Sequence, residues 1–394
     1  MEKLKIGILG LGRGSGHLKN FLNLEEAEVI GAADRFEMRR ERAEEHIASV
    51  GAKTWVVPEF EDLLEMKPDA IVVSTNGKQQ VEHSIQAMRA GCHVLSEIPG
   101  GYTEEEAVRL RDAVELHNKT YMLAENSCFY DFLRYWRKWI VEDRFGPISI
   151  AEAEYIHYLP YTLVAPNGGR MKPSKAREEG RTDFTPLWRA DQPPIQYLTH
   201  DLGPLLEVLD DRCVSVTCRS APWRCPETPL RSDGQIALFT TEKGTLIKIL
   251  VTLSTRRPGE HRYRIFGTEG GAEFFGYEGR CRRLDRDRDE KEGWEVLPIG
   301  TSAPDDDPST GHGGTDAKIG QFFINAVLKG EPPPIDVYRG IEYFLPGIVA
   351  NRSAELGGTP IGLPDLRRDP FGTTRFWDAV GLPESDPEPV TQEP

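Results

Sequence analysis

Apolar and polar positions change period repeatedly along the first 125 residues. Continuous apolar or β-branched runs at 3–9, 28–33, 54–57, 70–74 and 121–124 predict strands. The run 70–74 has the character of a strand covered on both faces. Between the runs, helical spacing appears from near His17 and over 38–48, 60–66 and 81–90, the last ending at Gly91 as a C′ glycine. Thr103-Glu104-Glu105-Glu106 matches a capping box and opens a helix to about His117. Strands alternating with helices predict an α/β unit with a parallel, doubly wound sheet.

After Glu125 the pattern changes. An aromatic helix over 131–142 stops before Gly146-Pro147, and residues 148–159 alternate as a long strand. Further strands are predicted at 214–218, 235–240, 245–253, 262–266, 272–275 and 294–297. Gly-containing turns separate them, as in a large, mostly antiparallel open sheet. Helices follow over 317–328 and 337–356, the second with a kink expected at Pro346. The arginine-rich run 280–288, interleaved with aspartates, is expected to be a solvated hairpin. Two long polar loops, 165–186 and 301–316, are expected to be structureless and to line a site. The chain therefore divides into an N-terminal α/β domain (1–125), an α+β domain (126–378) and a Pro/Glu-rich tail (379–394) expected to be disordered.

Length fits two domains: 394 residues give each an ample core. The formal net charge of −15 argues against a nucleic-acid partner, which would want a basic stripe. No apolar run approaches the ~20 residues of a membrane span, and the early strand leaves no room for a signal peptide. None of the six cysteines forms a C-x-x-C pair, and nothing resembles zinc-ligand spacing, so no metal is expected. These features predict a cytoplasmic protein.

The first strand runs into Gly10-Leu11-Gly12-Arg13-Gly14-Ser15-Gly16 and then a helix, the context in which a glycine loop holds a pyrophosphate. Gly10 permits the tight turn and Gly12 a close approach of phosphates. Ser15 stands at the third fingerprint position, flanked by Gly14, and Arg13 lies within the loop. Asp34, 22 residues after Gly12, would accept from a ribose hydroxyl and favours NAD, whereas Arg35 beside it could meet the 2′-phosphate of NADP. Ser74, Thr75 and Asn76, just past a strand end, belong either beside the nicotinamide or to simple turn chemistry. His83 on the next helix is a further candidate, with a structural role as its alternative. Glu97-Ile98-Pro99 follows Val94-Leu95-Ser96 at another strand end.

These motifs resemble the glucose–fructose oxidoreductase/inositol dehydrogenase (Gfo/Idh/MocA) family over nearly the whole chain. Glu97-Ile98-Pro99 stands where the common branch has Glu-Lys-Pro with its lysine by the nicotinamide. Gln196 stands four residues before His200, where that branch has aspartate. The departures resemble the NAD-dependent α-N-acetylgalactosaminidase branch. Glu97-Ile98-Pro99 is similar to its Glu-Val-Pro, Ala124-Glu125-Asn126 to its Leu-Glu-Asn, and Tyr197-Leu198-Thr199-His200 to its Tyr-Pro-Thr-His. Gly311-His312-Gly313-Gly314-Thr315-Asp316 is similar to its Gly-His-Gly-Gly-Met-Asp. Tyr155 falls at a further active-site tyrosine of that branch. The resemblance implies a Rossmann domain, bound NAD, a sugar or cyclitol substrate and a homodimer or homotetramer.

Oxidation of a carbinol needs a hydride acceptor and a base. With no lysine at 98, the candidate catalytic groups are His200, Tyr155, Tyr197 and Glu125. His200 is the leading base by its ordinary pKa of ~6.5. Period-2 alternation puts Tyr155 and His157 on one strand face beside Ala151 and Ala153, which leave room for a ligand. Trp188, Arg189 and His312 join His157 as candidate substrate contacts, while Asp316 reads equally as an N-cap. Two enzyme readings follow: a net sugar or cyclitol dehydrogenase, placed first, and a glycosidase that oxidises C3 transiently, eliminates at C2, hydrates and re-reduces. A nucleotide-sensing protein without turnover is the third.

Overall fold

The computed structural model describes residues 3–229, 231–276, 278–367 and 376–389. Strands β1 (Leu4–Leu9), β2 (Ala27–Ala33), β3 (Trp55–Val57), β4 (Ala70–Val73), β5 (His93–Ser96) and β6 (Tyr121–Leu123) form one parallel sheet. Its order, β3-β2-β1-β4-β5-β6, reverses direction of winding at β1/β4. Every residue of β4 is buried, as its unbroken apolar run predicts. The capping box at Thr103 forms in both directions, with the Glu106 amide donating to Thr103 Oγ1 and the Thr103 amide to Glu106 Oε2, each at 3.1 Å. The helix after the glycine loop begins at Gly14, three residues before the predicted start. A Cβ at Gly14 would lie 3.1 Å from the Ser74 side chain and 3.2 Å from Ile8, so close packing on the sheet outweighs glycine's poor helix propensity.

Twelve further strands follow: β7 (Ile148–Ile156), β8 (Leu163–Val164), β9 (Arg170–Met171), β10 (Thr185–Pro186), β11 (Cys213–Ser220), β12 (Gly234–Thr241), β13 (Leu246–Thr252), β14 (Glu260–Gly267), β15 (Gly271–Phe275), β16 (Arg280–Leu284), β17 (Glu295–Leu297) and β18 (Ile361–Gly362). Nine of them form a sheet ordered β17-β16-β15-β14-β7-β13-β12-β11-β18. Only the β7–β13 pairing is parallel. One face packs on the helices Asp131–Val141, Thr199–Leu209 and Val337–Glu355, where Phe132 stacks on Phe274 with ring centres 4.1 Å apart. Val337–Glu355 continues as one helix through Pro346.

Four expectations are corrected. The 165–186 segment is not structureless: β8, β9 and β10 make a small sheet around the helix Pro173–Glu178, with strands too short for an alternating pattern to register. Residues 280–284 are an in-sheet strand rather than a solvated hairpin; Arg283 is buried and paired with Glu295 at 2.6 Å. The helix after the second polar loop begins at Thr315, not 317, with Gly314 as its N-cap, so Asp316 sits in the first turn and caps nothing. The tail is held at Asp386, which accepts from Arg144 at 2.6 Å, Arg283 at 2.7 Å, Trp139 at 2.8 Å and Lys138 at 3.1 Å. Four donors converging on one carboxylate order a segment whose composition reads as disorder. Residues 390–394 lie outside the described part.

Candidate active site

The C-terminal ends of β1, β2, β4 and β5 open onto one cleft, lined by Gly10, Gly12, Arg13, Asp34, Arg35, Ser74, Thr75, Asn76, His83, Glu97 and Ile98 from the parallel sheet. Trp188 and Arg189 close it from the other side. Gly10 has φ +90°, and a Cβ there would meet the Ser74 carbonyl at 2.7 Å. The Leu11 amide donates to Asp34 Oδ2 at 2.8 Å and the Phe36 amide to Asp34 Oδ1 at 2.9 Å, so Asp34 shapes the loop from below. Arg13 at the helix N-cap makes no side-chain cap, leaving first-turn amides for an anion. A dinucleotide fits this cradle: side-chain-free loop backbone, uncapped helix donors and a carboxylate at the end of β2.

The remaining candidates sit at the margin. Ser15 turns onto its own loop, donating to the Gly12 carbonyl at 3.0 Å, and Gly14 packs inward. Pro99 follows a cis peptide and packs near Gly77. His83 Nδ1 shares a 2.9 Å hydrogen bond with Thr75 Oγ1 and abuts Phe60, with burial lowering its pKa.

At Ile98 the backbone is pinned, since Gln80 Nε2 donates to the Ile98 carbonyl at 2.9 Å. The charge lies one residue earlier. Glu97 is 6% exposed and meets His17 Nε2 at 2.7 Å and Arg13 Nε at 3.0 Å. Burial alone would raise its pKa, but Arg13 and His17 hold it at about 2. Arg13 also pairs with Asp316 at 2.8 Å, and His312 Nδ1 lies 3.1 Å from the same carboxylate. Asp316 is likewise held at about 2 against the effect of burial, by His312 and Arg13. Thus His312 belongs to a latch between the glycine loop and the helix Thr315–Lys329.

Beyond the cleft lies a cluster of titratable side chains that could carry protons. Glu125, fully buried just past β6, accepts the Ser127 amide at 3.0 Å and meets His200 Nδ1 at 2.7 Å. Burial works to raise its pKa, yet His200 and these hydrogen bonds bring it below the ordinary carboxylate value. A carboxylate there fixes the proton on Nδ1 and leaves Nε2 as the acceptor. Pro204 cannot donate to the His200 carbonyl one turn back; Tyr263 Oη donates to it instead at 2.6 Å, holding the start of that helix. Tyr155 lies parallel to His200 with ring centres 5.5 Å apart and edge-on to Tyr197 at 5.1 Å. Burial and Tyr197 push the Tyr155 phenol well above its ordinary pKa, so it stays protonated. His157 adjoins Tyr155 at 4.4 Å, and burial with neighbouring histidines lowers it to about 4.

Three functional candidates were not singled out from sequence. His261 is the cross-strand partner of Tyr155, 4.8 Å away, and meets Asp201 Oδ1 at 3.3 Å. Loss of solvent contact favours the neutral form of each, the half-buried His261 falling to about 3 and the buried Asp201 rising well above the carboxylate range. The alternation His261, Tyr263, Ile265 was a usable signal for His261. His17, the third, sits in the first turns after the glycine loop.

Residues 4–125 match the model of the oxidoreductase family with an NAD-binding Rossmann fold, Gfo/Idh/MocA. Residues 231–373 match the C-terminal domain of glycosyl hydrolase 109. The chain thus carries the NAD-binding domain of the Gfo/Idh/MocA oxidoreductase family over residues 4–125. Among its relatives, a glycosyl hydrolase family 109 protein of Porphyromonas gingivalis is 26% identical, covering 96% of this chain and 86% of that one. The crystal structure of an inositol dehydrogenase homolog from Azotobacter vinelandii, complexed with NADH and myo-inositol, superposes with a TM-score of 0.70. It is 17% identical and covers 92% of this chain and 98% of its own. The WlbA dehydrogenase of Bordetella pertussis, in complex with NADH and UDP-GlcNAcA, gives the same TM-score at 22% identity and the same coverages. The Gfo/Idh/MocA fold thus spans both sheets. No helix among the described residues is long and apolar enough to cross a membrane, and none of their His, Cys, Asp and Glu side chains group in threes fit for a metal.

Proposed function

We propose that this protein is an NAD-dependent glycosidase that oxidises a sugar ring transiently, eliminates the aglycone, adds water and restores the ring. The observation that carries the reading is the Glu125–His200 pair stacked against Tyr155. A net dehydrogenase needs one proton acceptor, whereas this cluster holds two proton-carrying groups side by side. The glycosyl hydrolase 109 match over residues 231–373 supports the same choice.

Bound nicotinamide supplies reversible hydride exchange with one ring carbon. His200 accepts the carbinol proton at Nε2 while Glu125 stabilises the resulting imidazolium. The carbonyl so formed acidifies the neighbouring C–H. His200, having passed the carbinol proton to solvent at its exposed edge, takes this second proton while Tyr155 protonates the departing oxygen; the water that adds reprotonates Tyr155, and His200 returns its proton to the ring carbon. Tyr155, protonated at rest, is the donor of the pair. NAD is favoured over NADP because Asp34 is a buried carboxylate at the ribose end, and Arg39, the cation on it, is already paired with it at 3.3 Å. The reading also takes the protein as a cytoplasmic homodimer or homotetramer. Supporting this are six free cysteines and a row of apolar residues, Leu246, Ile150 and Phe266, about 40% exposed on adjacent strands.

The test is a panel of aryl glycosides in deuterated buffer with no added cofactor. Aryl alcohol should be released, with solvent deuterium at the carbon next to the anomeric centre and no lasting NADH absorbance. Accumulation of NADH and ketone without aryl alcohol would instead make the protein a net dehydrogenase.

A further inference from the structure

Most arginines of this acidic chain have carboxylate partners; Arg13, Arg144, Arg283 and Arg339 each meet at least two. Three cations around the inner end of the cleft do not. Among the described residues, no carboxylate lies within ion-pair distance of Arg189, Arg231 or Arg170. Arg189 lines the cleft, its guanidinium 4.9 Å from the Trp188 ring and 5.1 Å from the Tyr197 ring. Its Nε is sealed from solvent without a hydrogen-bond partner. Asp191, two residues on, is held by Lys78 at 2.6 Å. Behind Arg189, Arg231 is only 7% exposed and donates to the Arg189 and Leu159 carbonyls. Burial, with the charge of Arg189, lowers Arg231 to about 10.

Arg189 is half-buried and Arg170 exposed, but a sealed donor such as the Arg189 Nε is normally matched within the protein; where it is not, the ligand supplies the match. We propose that the substrate carries an anionic group, a carboxylate or a sulfate, which Arg189 receives beside Tyr197. The inference rests on the glycosidase reading and names its substrate class, an acidic glycoside. Contact of the Arg189 guanidinium with both the Trp188 and Tyr197 rings restrains its fork, which favours bidentate recognition of such a group. Tyr197 touches both Arg189 and Tyr155, so an anion held here places the ring at the proton-transfer cluster. The cofactor's own phosphates belong to the glycine loop, where Gly12 and the uncapped helix receive them.

Calorimetry on NAD-saturated protein tests this with glucuronate, galacturonate and the 6-sulfates of glucose and galactose, each against its neutral parent sugar. At least one acid should bind ~10-fold or more tightly than its parent, and the advantage should shrink with added salt. The carboxylate and sulfate arms identify the anion. In Arg189→Met the advantage should fall to about twofold or less, and Arg189→Lys should restore part of it. The proposal is overturned if the acids bind no better than their parents, if Arg189→Met keeps the advantage, or if its only effect is on NAD affinity. Turnover of neutral aryl glycosides with no acid preference would sink this inference and leave the glycosidase reading standing. An Arg189-dependent acid preference with NADH accumulating and no aryl alcohol would do the reverse.

Discussion

Replacing Glu125 by glutamine removes one charge from the proton-transfer cluster and almost no volume. In the parent, Glu125 Oε1 lies 2.7 Å from His200 Nδ1, with the carboxylate fully buried and the imidazole side chain 13% exposed. Unit charges about 4 Å apart attract by about 4 kcal/mol at an effective dielectric of about 20. Solvent at the exposed edge reduces this; half of it, about 2 kcal/mol, corresponds to roughly 30-fold in rate. In Glu125→Gln the imidazolium that forms during proton abstraction loses that support. The expected result is a fall in kcat of about 30-fold. Stability should change by less than about 1 kcal/mol, because relief of a buried charge offsets the lost pairing. In the parent, the depressed Glu125 pKa stabilises the fold above the ordinary carboxylate range, and that contribution is lost as pH falls through it. Single-turnover kinetics with NAD-saturated protein measures the rate, and thermal melting the stability. A kcat within about threefold of the parent would refute the assignment of His200 as the base.

Two other outcomes are expected. Asp386→Ala removes a carboxylate held by Lys138, Arg144, Arg283 and Trp139, and should lower stability by about 1–3 kcal/mol. Burial alone would raise the Asp386 pKa, but its partners depress it well below the ordinary value, so parent and variant should converge in melting temperature as pH falls; equal melting at neutral pH would contradict the pinned tail. In the native protein, Ellman's reagent should titrate about one thiol rapidly. Cys225 alone is not buried, while burial pushes Cys92 to about 11 and Cys218 and Cys281 to about 12. Rapid reaction of two or more thiols would overturn that reading.

What the sequence made legible was local. The capping box at Thr103, the glycine turn at Gly10 and the apolar run of β4 depend on neighbours in the chain, and each formed where the pattern put it. The strand content of the second sheet was legible too, but not the insertion of β7 between β13 and β14, which joins segments about a hundred residues apart. That non-local register brings His261 opposite Tyr155, which is why His261 went unmarked. Glu125, Tyr155, Tyr197 and His200 do converge, yet it was family resemblance rather than spacing that singled out Tyr155. The tail failed for the complementary reason: composition is blind to the cations waiting at Arg144 and Arg283.

Charge placement explains how the chain dispenses with a lysine at position 98. The carboxylate beside it, Glu97, is neutralised from the glycine-loop side by Arg13 and His17, and so is occupied in holding that loop. In the proposed reaction, proton chemistry falls to groups on and around the second sheet, with one exception. Glu125 leaves the C-terminal end of β6, from the same sheet edge as the nucleotide cradle, yet its partner His200 starts a helix packed on β7. The orientation of the base therefore depends on how the two sheets are docked. Arg13, bridging Glu97 to Asp316, is a second charged tie across that docking. A displacement of about 1 Å between the sheets would lengthen the Glu125–His200 contact beyond hydrogen-bond range, so the cofactor cradle and the base can be aligned only together.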